Sequence, residues 1–129
     1  MAVISQSTRT FFTKYNVTAT NFVYNSNAST NANAGWIRAS TDRKTVHVSL
    51  ATLNSNNIRY RIEGRFGSGY RPYEVYTDTI ASPNIRDKVV QVIENVPELR
   101  VGFKVGRAVA SPTASPCLVY ANLILEEVR

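Results

Sequence analysis

Residues 58–66 read Ile58-Arg59-Tyr60-Arg61-Ile62-Glu63-Gly64-Arg65-Phe66, and this stretch decides the fold. Ile58, Tyr60, Ile62 and Phe66 share one parity, while Arg59, Arg61, Glu63 and Arg65 share the other. Successive side chains of an extended chain point to opposite faces, so this alternation predicts a strand with one face in a core and a charged face outside. Gly64 inside such a run predicts a bulge or a close backbone approach.

The same period recurs on both sides of this stretch. Val46, Val48 and Leu50 alternate with His47, Ser49 and Ala51, and Leu99, Val101, Phe103 and Val105 alternate with Arg100, Gly102, Lys104 and Gly106. Further strands are expected near Val17–Tyr24, from Trp36 and Ile37, over Tyr73–Ile80 and over Cys117–Val128. Residues 85–96 also match helical spacing behind an Asn84 cap, but their β-branched density and Pro97 favour a strand over Lys88–Glu94. Asn54–Asn57, Gly67–Pro72, Ser82–Asn84 and Ser111–Pro116 supply the turns. About eight strands at this spacing, with no helical crossover between them, predict an all-β antiparallel sandwich of jelly-roll or related Greek-key type. Residues 1–35 form an extended polar N-terminal segment carrying the first strand, and 36–129 form the body of one domain.

The length of 129 residues allows one ordinary core, and 43% apolar against 19% charged residues is enough to build it. The start of the chain lacks the basic and apolar regions of a secretory signal, and no run is long enough to span a bilayer, so a cytoplasmically made, membrane-free protein is expected. Cys117 lies in an apolar run and reads as a buried thiol. The net charge of +6 is concentrated in residues 1–65, where eight bases face Asp42 and Glu63. The second half carries equal numbers of acids and bases. Nowhere do the bases form a consecutive block, which favours a folded basic surface over a disordered arm.

Catalytic chemistry has little to stand on. His47 is the sole histidine and lies on the polar side of a strand, so a Ser-His-Asp or Cys-His arrangement would rest on it alone. One Cys and one His cannot supply a zinc site, and Gly67-Ser68-Gly69 lacks the remainder of a phosphate-cradling loop. Asp42, Asp78, Asp87 and six Glu show no spacing that favours a carboxylate pair. The expectation is a protein without enzymatic activity, metal or cofactor.

Two surface features stand out. Arg59, Arg61 and Arg65 on one strand, with Arg100, Lys104 and Arg107 on another, would make a basic plate if the strands are neighbours. A solvated sheet face with Arg stems over apolar surface and Glu63 as partner accounts for the same residues. The second feature is the aromatic loop around the glycines, where Tyr70, Arg71 and Tyr73 are candidates for contact with a protein or a sugar.

The succession Lys44–Leu50, Ile58–Phe66, Leu99–Val105 and a terminal strand resembles, in strand pattern and texture over about residues 36–128, the small jelly-roll decoration or cement proteins of tailed bacteriophage capsids. That resemblance implies a virion structural protein made in the host cytoplasm, a homo-oligomer with a trimer favoured, which clasps the major capsid protein or another virion protein at capsomer junctions. The polar N-terminal segment would then suit an arm that orders on the shell. The alternatives are a nucleic-acid-binding β module using Arg59, Arg61 and Arg65, and a tail or fibre component with a sugar-binding role built on Tyr70 and Tyr73.

Overall fold

A computed structural model describes residues 4–41, 43–51, 57–80, 87–106 and 117–128. Among these residues the secondary structure is entirely strand: β1 (Ile4–Asn16), β2 (Ile37–Arg38), β3 (Arg43–Leu50), β4 (Ile58–Arg65), β5 (Tyr73–Ile80), β6 (Asp87–Val92), β7 (Glu98–Val105) and β8 (Leu118–Val128). They form two antiparallel sheets, sheet A in the order β1-β8-β3-β6 and sheet B in the order β2-β7-β4-β5. The pairs β1·β8, β2·β7, β3·β6 and β4·β5 are nested in sequence around the β4–β5 hairpin. Rolling this nested ladder so that β3 also meets β8, and β4 also meets β7, produces the two facing sheets of a jelly roll.

The alternating strands are those that line the interface between the sheets. Val46, Val48 and Leu50 of β3, Ile58, Tyr60 and Ile62 of β4, Leu99, Val101, Phe103 and Val105 of β7, and Val119, Ala121 and Leu123 of β8 are all buried in one core. Cys117 is buried with them. Residues 87–92 are strand, as β-branched Val89, Val90 and Val92 favour, and 93–97 are irregular. The expected turns at 82–84 and 111–116, most of the turn at 54–57, and Arg107 lie outside the described residues. Gly64 makes the close approach expected of it: a Cβ there would come within 2.9 Å of Val96 Cγ2. The bulge lies on the partner strand, where Ile62 and Glu63 face Tyr76 and Glu74 and Val75 is extra.

The first strand differs from the expectation. It is Ile4–Asn16 and not Val17–Tyr24, which is irregular apart from one bridge between Val23 and Phe103. The N-terminal segment is extended, but it is no free arm, because β1 pairs with β8 from Ile4↔Val128 to Asn16↔Leu118 with two register shifts. Phe12 anchors it in the core, edge-on to Phe103 at 5.0 Å. Val17–Tyr24 instead runs along the free side of β7, where Val105 N donates to Ala19 O and Val23 exchanges two backbone hydrogen bonds with Phe103. Further along the same edge, β2 pairs with Leu99 and Glu98. These two pieces are one edge strand interrupted by the excursion 24–36.

Candidate functional site

The register of β7 against β4 lays out the outer face of sheet B as four rows: Arg59 opposite Lys104, Arg61 opposite Gly102, Glu63 opposite Arg100, and Arg65 opposite Glu98. The strands proposed to make a basic plate are therefore neighbours, and Arg59, Arg61 and Arg65 do share one face. The plate is nevertheless not free, because the excursion 24–36 lies across three of its rows. Arg100, 3% exposed, donates through one terminal nitrogen to the carbonyls of Asn31, Ala32 and Ala34 at 3.0–3.2 Å. Its other terminal nitrogen lies 3.2 Å from Glu63 Oε1, and its guanidinium stacks 3.5 Å from the Tyr24 ring centre and 4.6 Å from that of Trp36. Burial pushes the Arg100 guanidinium below its ordinary value, and the charge of Glu63 pulls it back.

Arg65 is held in the same way. Its Nε and one terminal nitrogen donate to Glu98 Oε2 at 3.3 and 3.1 Å, the other donates to Asn33 Oδ1, and the guanidinium stacks on Trp36 at 4.5 Å. Arg61 is half-buried, 3.5 Å from Glu74 and 4.2 Å from the Phe22 ring centre. Arg59 alone of the three stays exposed. Residues 22–36 thus form a strap, and Arg65 and Arg100 are its fasteners. The strap-side residues Tyr24 and Trp36 and the outward Gly102 were not singled out in the sequence. Gly102 was the available signal: a Cβ there would sit 2.6 Å from Tyr24 Cε1, so only glycine lets the ring lie flat on the sheet.

The β4–β5 loop carries the aromatic candidates. Tyr73 stacks on Phe66 with ring centres 6.0 Å apart, so its ring is used within the loop. Tyr70 is 65% exposed and Arg71 is exposed beside it. Burial, and then the nearby charge of Glu94, raise the Tyr73 phenol, which places the β6–β7 connection beside this loop. Ile93 in that connection is 87% exposed.

Sheet A has a different outer face. Its register gives the rows Thr10·Asn122·His47·Val89 and Thr8·Ile124·Thr45·Gln91. Neither row contains a carboxylate, lysine or arginine, and none of these side chains is fully buried. Val89 at the end of one row is 69% exposed. A corner of the face holds a hydrogen bond between His47 Nε2 and Asp87 Oδ1 at 2.9 Å. Hydrogen bonds from Ser49 and then His47 hold the Asp87 carboxyl below its usual range. A lowered folded value contributes stability that is present above the unfolded carboxylate range and is lost as the pH falls through the folded value. Asp87→Asn is therefore expected to flatten the acid limb of the stability curve below about pH 4, by roughly 0.2–0.5 kcal/mol because the carboxylate is largely solvated. Urea midpoints of both proteins across that range check it.

No helix of the described residues is long and apolar enough to cross a membrane, and no three His, Cys, Asp or Glu side chains among them are grouped so as to hold a metal ion. Compared with known proteins, the chain matches no family model and no curated protein.

Proposed function

We propose that this chain is a virion structural protein, a capsid decoration protein that docks on the major capsid protein through the outer face of sheet A. The observation that carries this reading is the pair of rows Thr10·Asn122·His47·Val89 and Thr8·Ile124·Thr45·Gln91. Protein interfaces are depleted in charge at their centre, and these two central rows, with Arg43, Glu126 and Asp87 confined to the rows that flank them, bury against a partner at little desolvation cost. The strap occupies the opposite broad face, so docking through sheet A leaves the molecule's covered side outward. Tyr70 and Arg71, exposed at the β4–β5 loop tip, supply a second contact of the residue types enriched among interface hot spots. The strand pattern and the jelly-roll order agree with such a role by analogy alone, because one fold hosts many functions.

Ile124→Glu places a charge at the middle of the face without touching the core. It is expected to keep the circular dichroism spectrum of the parent and to weaken co-sedimentation with capsids of the major capsid protein proposed as its partner by about tenfold or more. Light scattering of the parent is expected to show an oligomer, a trimer under this proposal. A strictly monomeric chain that also fails to sediment with capsids overturns the reading.

A further inference from the structure

The strap leaves one row of sheet B open, and that row carries an unusual pairing. Arg59 and Lys104 stand directly opposite each other on β4 and β7. Like charges in this position repel, and sheets ordinarily avoid them or place an acid between them. Among the described residues no carboxylate is within ion-pair range of either one, whereas Arg61, Arg65 and Arg100 each have a glutamate. The two cations line a hollow of about 280 Å3 together with Asn57, Thr79 and Gly106. Thr79 lies opposite Arg59 on the other side, so β7, β4 and β5 each contribute one side chain in a line.

The charged groups of the hollow are both cations, and the Thr79 hydroxyl and Asn57 amide add neutral donors beside their acceptor oxygens. Arg59 reaches Thr79 Oγ1 through Nε at 3.5 Å, which turns the fork of its terminal nitrogens away from that bond. The Lys104 ammonium lies 4.9 Å from the Phe22 ring centre, which fixes its stem beside the strap. A guanidinium fork, an ammonium point charge and a hydroxyl converging on a hollow without a carboxylate among its lining residues suit a phosphate-type oxyanion.

We infer that Arg59, Lys104 and Thr79 form a binding site for a single phosphate group. Bound phosphate removes the repulsion between the two cations, so binding is coupled to stability. Among the described residues the next basic side chains along the face, Arg61, Arg65 and Arg100, each have a glutamate, so the site suits one group and not a phosphate chain. This inference does not depend on the docking role of sheet A.

The test is a titration of inorganic phosphate, followed by backbone amide shifts and by thermal unfolding, in the parent and in Arg59→Gln, Lys104→Gln and the control Arg9→Gln. The parent and the control are expected to show saturable shifts at Thr79, Lys104 and Gly106 and a rise in Tm. Each of the other variants is expected to raise Kd about tenfold or more. A mononucleotide is expected to compete with phosphate at the same amides, and a single-stranded oligonucleotide to show a salt slope of about one phosphate contact. Absence of saturation by about 50 mM phosphate, where general screening takes over, overturns the site. So do shifts that persist unchanged in both variants, or an oligonucleotide slope of several contacts, which would make the face a nucleic-acid track.

Discussion

Arg100→Ala is expected to cost about 3–5 kcal/mol, a large share of the stability of a domain this size. The loss has two sources. Glu63, buried and facing Arg100 across the β4–β7 pairing, is left as an uncompensated charge. The carbonyls of Asn31, Ala32 and Ala34 lose the donor that gathers them. Urea unfolding reads the total. The chain's single tryptophan, Trp36, reads the strap, because it stacks against both Arg65 and Arg100. Its emission is expected to shift to the red in Arg100→Ala before the global transition. Adding Glu63→Gln to Arg100→Met removes the buried charge and is expected to recover part of the unfolding free energy without restoring the tryptophan signal. A cost below about 1 kcal/mol in Arg100→Ala would mean that the pair behaves like a surface ion pair and that the strap is held by its rings alone.

Phe12→Ala is expected to cost about 3–5 kcal/mol, the range for removing a buried aromatic ring from a packed core. Phe12 is fully buried against Phe103 and Tyr15, with ring centres 5.0 and 5.1 Å away. An arm that orders only on a partner surface would show almost no effect in the isolated chain, so denaturant unfolding of this one variant separates an integral first strand from a free one. Neighbouring Phe11, which is half-buried, is expected to cost less when truncated. A Phe12→Ala effect within about 0.5 kcal/mol of zero, the usual range for surface sites, would place β1 outside the cooperative core.

The interior of the fold was legible because a core on one side imposes a period of two. Val46 to Leu50, Ile58 to Ile62 and Leu99 to Val105 alternate for that reason. β1 was not legible, since it lies at the edge of sheet A and, among its described side chains, only Phe12 is fully buried in a run rich in Ser and Thr. A strand solvated along most of its length has no need to alternate. β2 lies where Trp36 and Ile37 predict a strand, but it is only two residues long because its edge pairing is divided by residues 24–36. The expectation that a side chain pointing outward from a sheet is solvated holds for Arg59, but Arg65 and Arg100 point outward into a second layer. The residues that build that layer are joined across the chain, Asn33 to Arg65 and Ala34 to Arg100, and no local spacing records such contacts.

The nested pairing also fixes the order in which this molecule can come into being. β8 lies between β1 and β3, and β7 lies between β2 and β4. Among the described residues β1 pairs with β8 alone, so Asn16 must wait for Leu118 to be synthesised before its strand has this partner. Until then β1 and the inner side of β3 are bare edges, the kind of surface that templates association between chains. A chain stopped short of β8 is therefore expected to expose both of these edges and to associate through them, not to form a smaller sandwich.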